Sequence, residues 1–318
     1  MKFLIALLCT ACTSFLAAQN VEYAYPVKLV NVNVGNAKHN MAYMFVQPYA
    51  EKTGKTILLL HGKNFSGFYW RKVIPVLVAK GYSVVVPDQL GFGKSDKPII
   101  NYSFDTLAKA TMQLLDSIKV NKVYVVGHSM GGMLATNIAL LYPERVAGVV
   151  FENPIGIEDY SNFVRPVVLD SLIMAEKKAT YTSYKKYQQT YYPKWKPEYE
   201  QYVKAQAAIL KQKNFEQVAR VNALTYKMIY DEPVVDEFHN IQAPALIIIG
   251  QADRTIVGKQ YLSKDEATKH GNYPELGRWL QKEIKNAKLI ELAGVGHIPH
   301  IQSTTKFNKE LLNFLETN

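Results

Sequence analysis

The chain has 318 residues, 48% of them hydrophobic and 20% charged, enough apolar material for one large α/β domain with an insertion or for two small domains. The formal charge of +10 comes from scattered lysines, as in Lys177-Lys178, Lys185-Lys186 and Lys194-Trp195-Lys196, with no nucleic-acid-binding motif around them. The excess therefore reads as a solvated cationic surface, and no nucleic-acid partner is expected. Both cysteines, Cys9 and Cys12, precede the first expected strand and fall in a leader, so disulfide and thiol chemistry are excluded from the mature chain.

That leader is read over residues 1–18. Met1-Lys2 gives a positive start, residues 3–11 are apolar, and Leu16-Ala17-Ala18 supplies small residues for cleavage. The pattern is that of a secretory signal peptide, which predicts a secreted or periplasmic protein. Thr10, Thr13 and Ser14 interrupt the run too early for a membrane span. A lipid anchor at Cys12 is the lesser alternative, and no stable membrane insertion is expected.

Next come two alternating stretches, 27–34 and 41–47, which predict a hairpin turning near Gly35-Asn36. The rhythm then changes to continuous apolar runs alternating with helical periodicity. Strands are expected over 56–60, 83–86, 123–126, 146–151, 245–249 and 288–292, and helices over 70–80, 106–118, 130–141 and 306–315. That alternation predicts a parallel sheet covered by helices on both faces. Between 155 and 241 it stops. This lysine- and tyrosine-rich region reads as helices alone, an insertion seated over the sheet. Tyr181, Tyr184, Tyr187 and Tyr191 recur at three- and four-residue spacing, which puts them on one helix face. They either pack the insertion or form aromatic walls over a substrate.

Chemistry is concentrated at Gly127-His-Ser-Met-Gly131, set between a strand and a helix. This arrangement forces Ser129 onto a tight turn and presents its hydroxyl above the sheet edge. A serine needs a base, and the base needs an orienting acid. Asp253 follows the strand at 245–249, and His297 lies in Gly294-Val-Gly-His after the last strand. Both belong at the carboxyl edge, where such sheets place ligands. The competitors are Asp88 and Glu152 for the acid and His300 for the base. The stretch from Asp88 to Ser95 is read as a structural turn built by Gly91 and Gly93, His61 as a structural residue holding its loop, and His128 as packed or bonded locally. His39, His239 and His270 are read as surface residues. No histidine shows metal-ligand spacing, so neither metal nor cofactor is expected. Two main-chain N–H groups must receive a developing oxyanion. Met130 is expected to supply one and Lys63 the other, with Asn64 as second choice for the latter. The Lys63 side chain is read as solvent-exposed.

His61-Gly62, Asp88-x-x-Gly-x-Gly-x-Ser95, Gly127-x-Ser129-x-Gly131, Gly250-x-x-Asp253 and Gly296-His297 together resemble the α/β-hydrolase superfamily. The likeness runs from Val27 to the C-terminus. It implies the α/β-hydrolase fold, an eight-stranded, mostly parallel sheet with helices on both faces. The core would comprise 19–154 and 241–318, with a helical cap at 155–240. It also implies Ser129 as nucleophile, His297 as base and Asp253 as orienter, with the site between core and cap. The chain departs from epoxide hydrolases and haloalkane dehalogenases, which carry an aspartate where Ser129 stands. The expectation is an exported serine hydrolase, a carboxylic ester hydrolase for a small or medium substrate. Carbon–carbon, lactone or amide hydrolysis and perhydrolysis would use the same groups. The rival class is a non-catalytic ligand-binding protein. Oligomeric state is not legible.

Overall fold

The computed structural model describes residues 21–49 and 51–318; the leader expected over 1–18 lies outside the described residues. Eight strands form one sheet: β1 (Val27–Val34), β2 (Ala37–Val46), β3 (Thr56–Leu60), β4 (Ser83–Pro87), β5 (Val123–His128), β6 (Val146–Glu152), β7 (Ala245–Gly250) and β8 (Ala287–Leu292). Their order is β1-β2-β4-β3-β5-β6-β7-β8. The β1/β2 and β2/β4 pairs are antiparallel and all others parallel.

The helices are α1 (Ile74–Ala79), α2 (Phe104–Ser117), α3 (Met130–Leu141), α4 (Leu169–Lys177), α5 (Tyr181–Gln189), α6 (Glu200–Ala207), α7 (Phe215–Asp231), α8 (Lys264–Lys269), α9 (Tyr273–Glu283), α10 (Pro299–Gln302) and α11 (Thr304–Thr317). Side chains alternate along each strand, and that alternation builds two cores. Leu58 and Leu60 of β3 join the apolar cluster beneath α2, α3 and α9, while Ile57 and Leu59 join the one beneath α1 and α11. Both faces are dry, which is why the central strands read as unbroken apolar runs.

The helix expected over 70–80 is split. A 3₁₀ turn occupies Gly67–Lys72, and α1 starts afresh with Pro75 in its first turn. Proline lacks the N–H that an uninterrupted helix needs four residues in, but is tolerated where N–H groups have no partner anyway. The second hairpin strand starts earlier than expected, at Ala37, because antiparallel pairing with β1 continues to Val34↔Ala37.

Between β6 and β7 the described chain contains α4 to α7 and 3₁₀ turns. Its residues join both cores. Val221, Met228 and Ile229 of α7 pack into one, and Tyr191, Tyr192, Tyr199 and Tyr202 into the other. The four spaced tyrosines do not share a face. Tyr184 is buried, Tyr181 and Tyr187 are exposed, and Tyr191 falls beyond the end of α5.

Candidate active site

The sheet's connections run outward in opposite directions from β3 and β5, which are neighbours, so a crevice opens between the loops that follow them. Parallel pairing sets Leu60 beside Gly127. From that register, three residues bring the chain to Lys63 on one side and to Met130 on the other.

Ser129 stands at the junction of β5 and α3 with φ 55° and ψ −120°, a conformation that a residue with a side chain rarely adopts. The turn is held from three sides: Ser129 N–H donates to Glu152 O, and Gly132 and Ile155 N–H donate to Ser129 O. A Cβ on Gly127 would lie 2.2 Å from Gly131 O, so the turn closes only with glycine at that position.

Three distant side chains meet beside this turn. His297 Nδ1 lies 2.7 Å from Asp253 Oδ2, and both residues are buried to 1% exposure. Asp253 also accepts from Asn153 Nδ2 at 2.8 Å and from Thr255 N–H at 2.9 Å. Burial alone would push the Asp253 carboxyl up, but His297 and these two donors outweigh it and hold it below the usual carboxylate range. A carboxylate can only accept, so the His297 proton sits on Nδ1 and Nε2 carries a bare lone pair. That nitrogen makes no hydrogen bond, to Ser129 Oγ or to any other described group. It is left free to take a proton.

The amide donors are set up by a second network beneath the turn. His128 Nε2 lies 2.8 Å from His297 O, a pure acceptor, so that nitrogen must be the protonated one. Its Nδ1 then accepts from Tyr69 OH at 3.1 Å, and Tyr69 OH in turn accepts from Gly62 N–H at 2.8 Å. Burial keeps this histidine neutral, driving its pKa well below the ordinary imidazole value. His61 takes the opposite tautomer: Gln89 N–H donates to its Nε2, and its Nδ1–H donates to Gly62 O at 2.9 Å. With Gly62 fixed at both its N–H and its C=O, the Lys63 N–H projects unpaired among the described residues. Met130 N–H, at the first position of α3, has no intrahelical acceptor. Both unpaired N–H groups thus lie on the two loops that flank the crevice.

The competitors lie elsewhere. Asp88 accepts from Gly67 N–H, Lys94 N–H and Tyr23 OH and is absorbed in its own loop. Glu152 and His300 pair with each other, Nδ1 lying 2.9 Å from either carboxylate oxygen, at 0% exposure. Two sequence readings are corrected. His270 is half-buried at the surface rather than free on it: its ring stacks on Phe163 at 3.5 Å, and its Nδ1 meets Glu158. Lys63 is not solvent-exposed: it is half-buried and lines a chamber, because the loop after β3 is roofed by α6 and α7.

Sequence reasoning missed Asn153, which accepts from Gly250 N–H at 2.9 Å while donating to Asp253. Its signal was its place just past β6, on the same sheet edge. Tyr191, read only as one of four tyrosines on a shared helix face, instead stacks its ring on His297, and its hydroxyl accepts from Asn64 Nδ2. Among the described residues no cluster of histidine, cysteine or carboxylates could hold a metal.

Comparison with known proteins agrees with this architecture. The family model for the alpha/beta hydrolase fold matches residues 55–304. A probable hydrolytic enzyme from Pseudomonas aeruginosa PAO1, of known structure, is similar at 40% identity and a TM-score of 0.89 over 92% of this chain and 95% of that one. Bifunctional epoxide hydrolase 2 of Sus scrofa is 38% identical over 103 residues, 32% of this chain and 19% of its own length. The 2-hydroxy-6-oxo-6-phenylhexa-2,4-dienoate hydrolase of Burkholderia cepacia is 38% identical over 109 residues, 33% of this chain and 38% of its own. The two curated relatives are thus matched over less than two-fifths of their length, and what they share with this chain is local. With the eight-stranded, mostly parallel sheet and a family match over residues 55–304, the chain belongs to the alpha/beta hydrolase family.

Proposed function

We propose that the chain is an exported serine hydrolase that cleaves carboxylic esters of small or medium size through an acyl-enzyme on Ser129. The observation that carries this reading is the bare Nε2 of His297, held in that tautomer by Asp253 at 2.7 Å and buried beside a strained serine. His297 Nε2 takes the hydroxyl proton as Ser129 Oγ attacks the ester carbon, and the carbonyl π electrons move to oxygen. That oxygen is received by the N–H groups of Lys63 and Met130. Asp253 stabilises the imidazolium; the proton passes to the departing alkoxide as the C–O bond breaks. Water, deprotonated by the same nitrogen, then releases the acid and restores Ser129.

A serine at this position supports acyl rather than alkyl-enzyme chemistry. Export rests on the leader at 1–18; among the described residues no helix is long and apolar enough to cross a membrane. The local likeness to a dienoate hydrolase favours carbon–carbon bond hydrolysis as the second reading.

A fluorophosphonate probe should label the mature protein at Ser129, and an ester panel should lose activity by roughly three orders of magnitude or more in Ser129→Ala. A folded protein that takes no label would instead be a binding protein. Esters left intact while a 2-hydroxy-6-oxo-dienoate is consumed would establish the second reading.

A further inference from the structure

Next to the Lys63 amide lies a chamber enclosed by the loops after β3 and β4 below and by α6 and α7 above. Phe65 and Phe68 give it apolar walls. Its polar lining includes Lys63, Asn64, Gln206 and Asn222, and no aspartate or glutamate lines it. Most of these polar groups already have partners. Asn64 is fixed between Tyr191 OH and Gln206, Asn222 donates to Glu176, and the ammonium of Lys97, also in the wall, is spent on the carbonyls of Gly93 and Ser95.

Lys63 is different. Among the described residues its ammonium has neither a hydrogen bond nor an ion pair. The carboxylate acting on it from the cap side is Glu176 of α4, which does not reach ion-pair distance. Burial pushes the Lys63 ammonium down and Glu176 offsets that only in part. A half-buried ammonium with no partner, in a wall that offers no carboxylate, is open to an incoming anion.

We propose that the Lys63 side chain binds a carboxylate on the substrate, so that the preferred substrate is an anionic ester with its reacting carbonyl at Ser129 and its charged end in this chamber. The inference rests on the reading of Ser129 as nucleophile, since that fixes where the carbonyl lies. Lys63 then serves both ends of one molecule: its main-chain N–H faces the carbonyl oxygen and its ammonium the carboxylate. A carboxylate-free chamber with one unpartnered ammonium suits such a ligand, and its phenylalanines suit the carbon chain between the two ends.

The test compares the monomethyl and dimethyl esters of a short dicarboxylic acid, alike in shape and different in charge. In wild type, kcat/KM should favour the monoester. In Lys63→Met the monoester-to-diester ratio should fall tenfold or more, and Lys63→Arg should restore part of it. Binding to Ser129→Ala, followed by calorimetry, should show the same preference, lost in Ser129→Ala/Lys63→Met. A wild type that favours the diester, or a ratio that Lys63→Met leaves unchanged, overturns the proposal. If Lys63→Met does not fold, Lys63→Gln removes the charge in its place, with the same ratio expected to fall and the same unchanged ratio overturning the proposal. The calorimetric arm needs no turnover, so ester chemistry can fail while the charge preference stands, and the reverse can also be seen.

Discussion

Tyr191 and His297 are joined twice: His297 N–H donates to Tyr191 O at 2.9 Å, and the two rings stack with centroids 4.8 Å apart. Tyr191 belongs to the helical insertion, just past α5. The insertion therefore does more than roof the crevice: it fixes the loop that presents the proposed base. The Tyr191 hydroxyl also ties that loop to Asn64, the neighbour of the proposed oxyanion donor Lys63.

Tyr191→Ala should accordingly lower kcat/KM by roughly ten- to a hundredfold, because a base that drifts by an ångström loses its line to the serine. It should also cost about 3–5 kcal/mol of stability, as loss of a buried aromatic side chain does. Tyr191→Phe keeps the stack and the carbonyl and loses only the bond to Asn64, so its kcat/KM should stay within about threefold of wild type. Steady-state kinetics with urea unfolding would separate the two. Equal losses in both variants would mean that the hydroxyl, not the stack, governs the loop.

Asn153 occupies a left-handed conformation, φ 36°, and bridges Gly250 N–H and Asp253 Oδ2. Removing the amide strands a buried N–H and takes one donor from the carboxylate. Asn153→Ala should cost about 1–3 kcal/mol, the usual consequence of a buried group left unsatisfied, and reduce kcat. Asn153→Asp should reduce kcat further, since a second carboxylate at that distance makes ionisation of Asp253 harder. Measured kcat in the order wild type, Ala, Asp would support the assignment; an Asp variant as active as wild type would refute it.

The contrast between Ser129 and Asn153 explains how much of the site was legible in the sequence. Ser129 carries a local signature, since a tight strand-to-helix turn demands glycine on both sides and leaves the motif in one short stretch. Asp253 and His297 could be placed because each follows an apolar run, and parallel strands deliver their ends to one edge. Asn153 follows a strand too, but its role depends on meeting Gly250, 97 positions away, and that contact exists only once β6 and β7 pair. Tyr191 was misplaced for a related reason. Three- and four-residue spacing suggests a shared helix face only while the helix lasts, and α5 ends at Gln189. The half-burial of Lys63 was invisible because the helices that cover it come from the insertion, whose packing no periodicity reports.

The loops that carry the acid and the base touch through backbone. A Cβ on Gly250 would lie 2.0 Å from Gly296 O and 2.7 Å from Val295 O. Neither atom is the end of a flexible side chain, so Gly250→Ala must separate the two loops. It should cost several kcal/mol, the range seen when a core is forced apart, and should abolish most of the turnover. Gly35→Ala provides the control. Its Cβ would meet nothing within 4 Å, and only its φ of +58° is unfavourable, so it should cost about 1–2 kcal/mol and leave kcat unchanged. Urea unfolding of both variants measures the difference between steric exclusion and backbone preference.

Glu152 and His300 form a second acid–imidazole pair beneath the first, with His300 N–H and Nδ1 both directed at the carboxylate. Burial pushes the Glu152 carboxyl up to about 7 from an ordinary 4.5, although the hydrogen bond from the His300 amide pulls it down. The folded protein therefore holds this proton to higher pH than the unfolded chain. Between about 4.5 and about 7 the folded state binds more protons, so the stability associated with the group is complete below 4.5 and is lost as pH rises toward 7. Glu152→Gln keeps a carbonyl acceptor for His300 and cannot titrate. The melting temperature of wild type relative to Glu152→Gln should therefore fall across this interval and level off above it. A difference that stays flat with pH would mean that the buried pair is already ionised at the acid end, with the proton on His300.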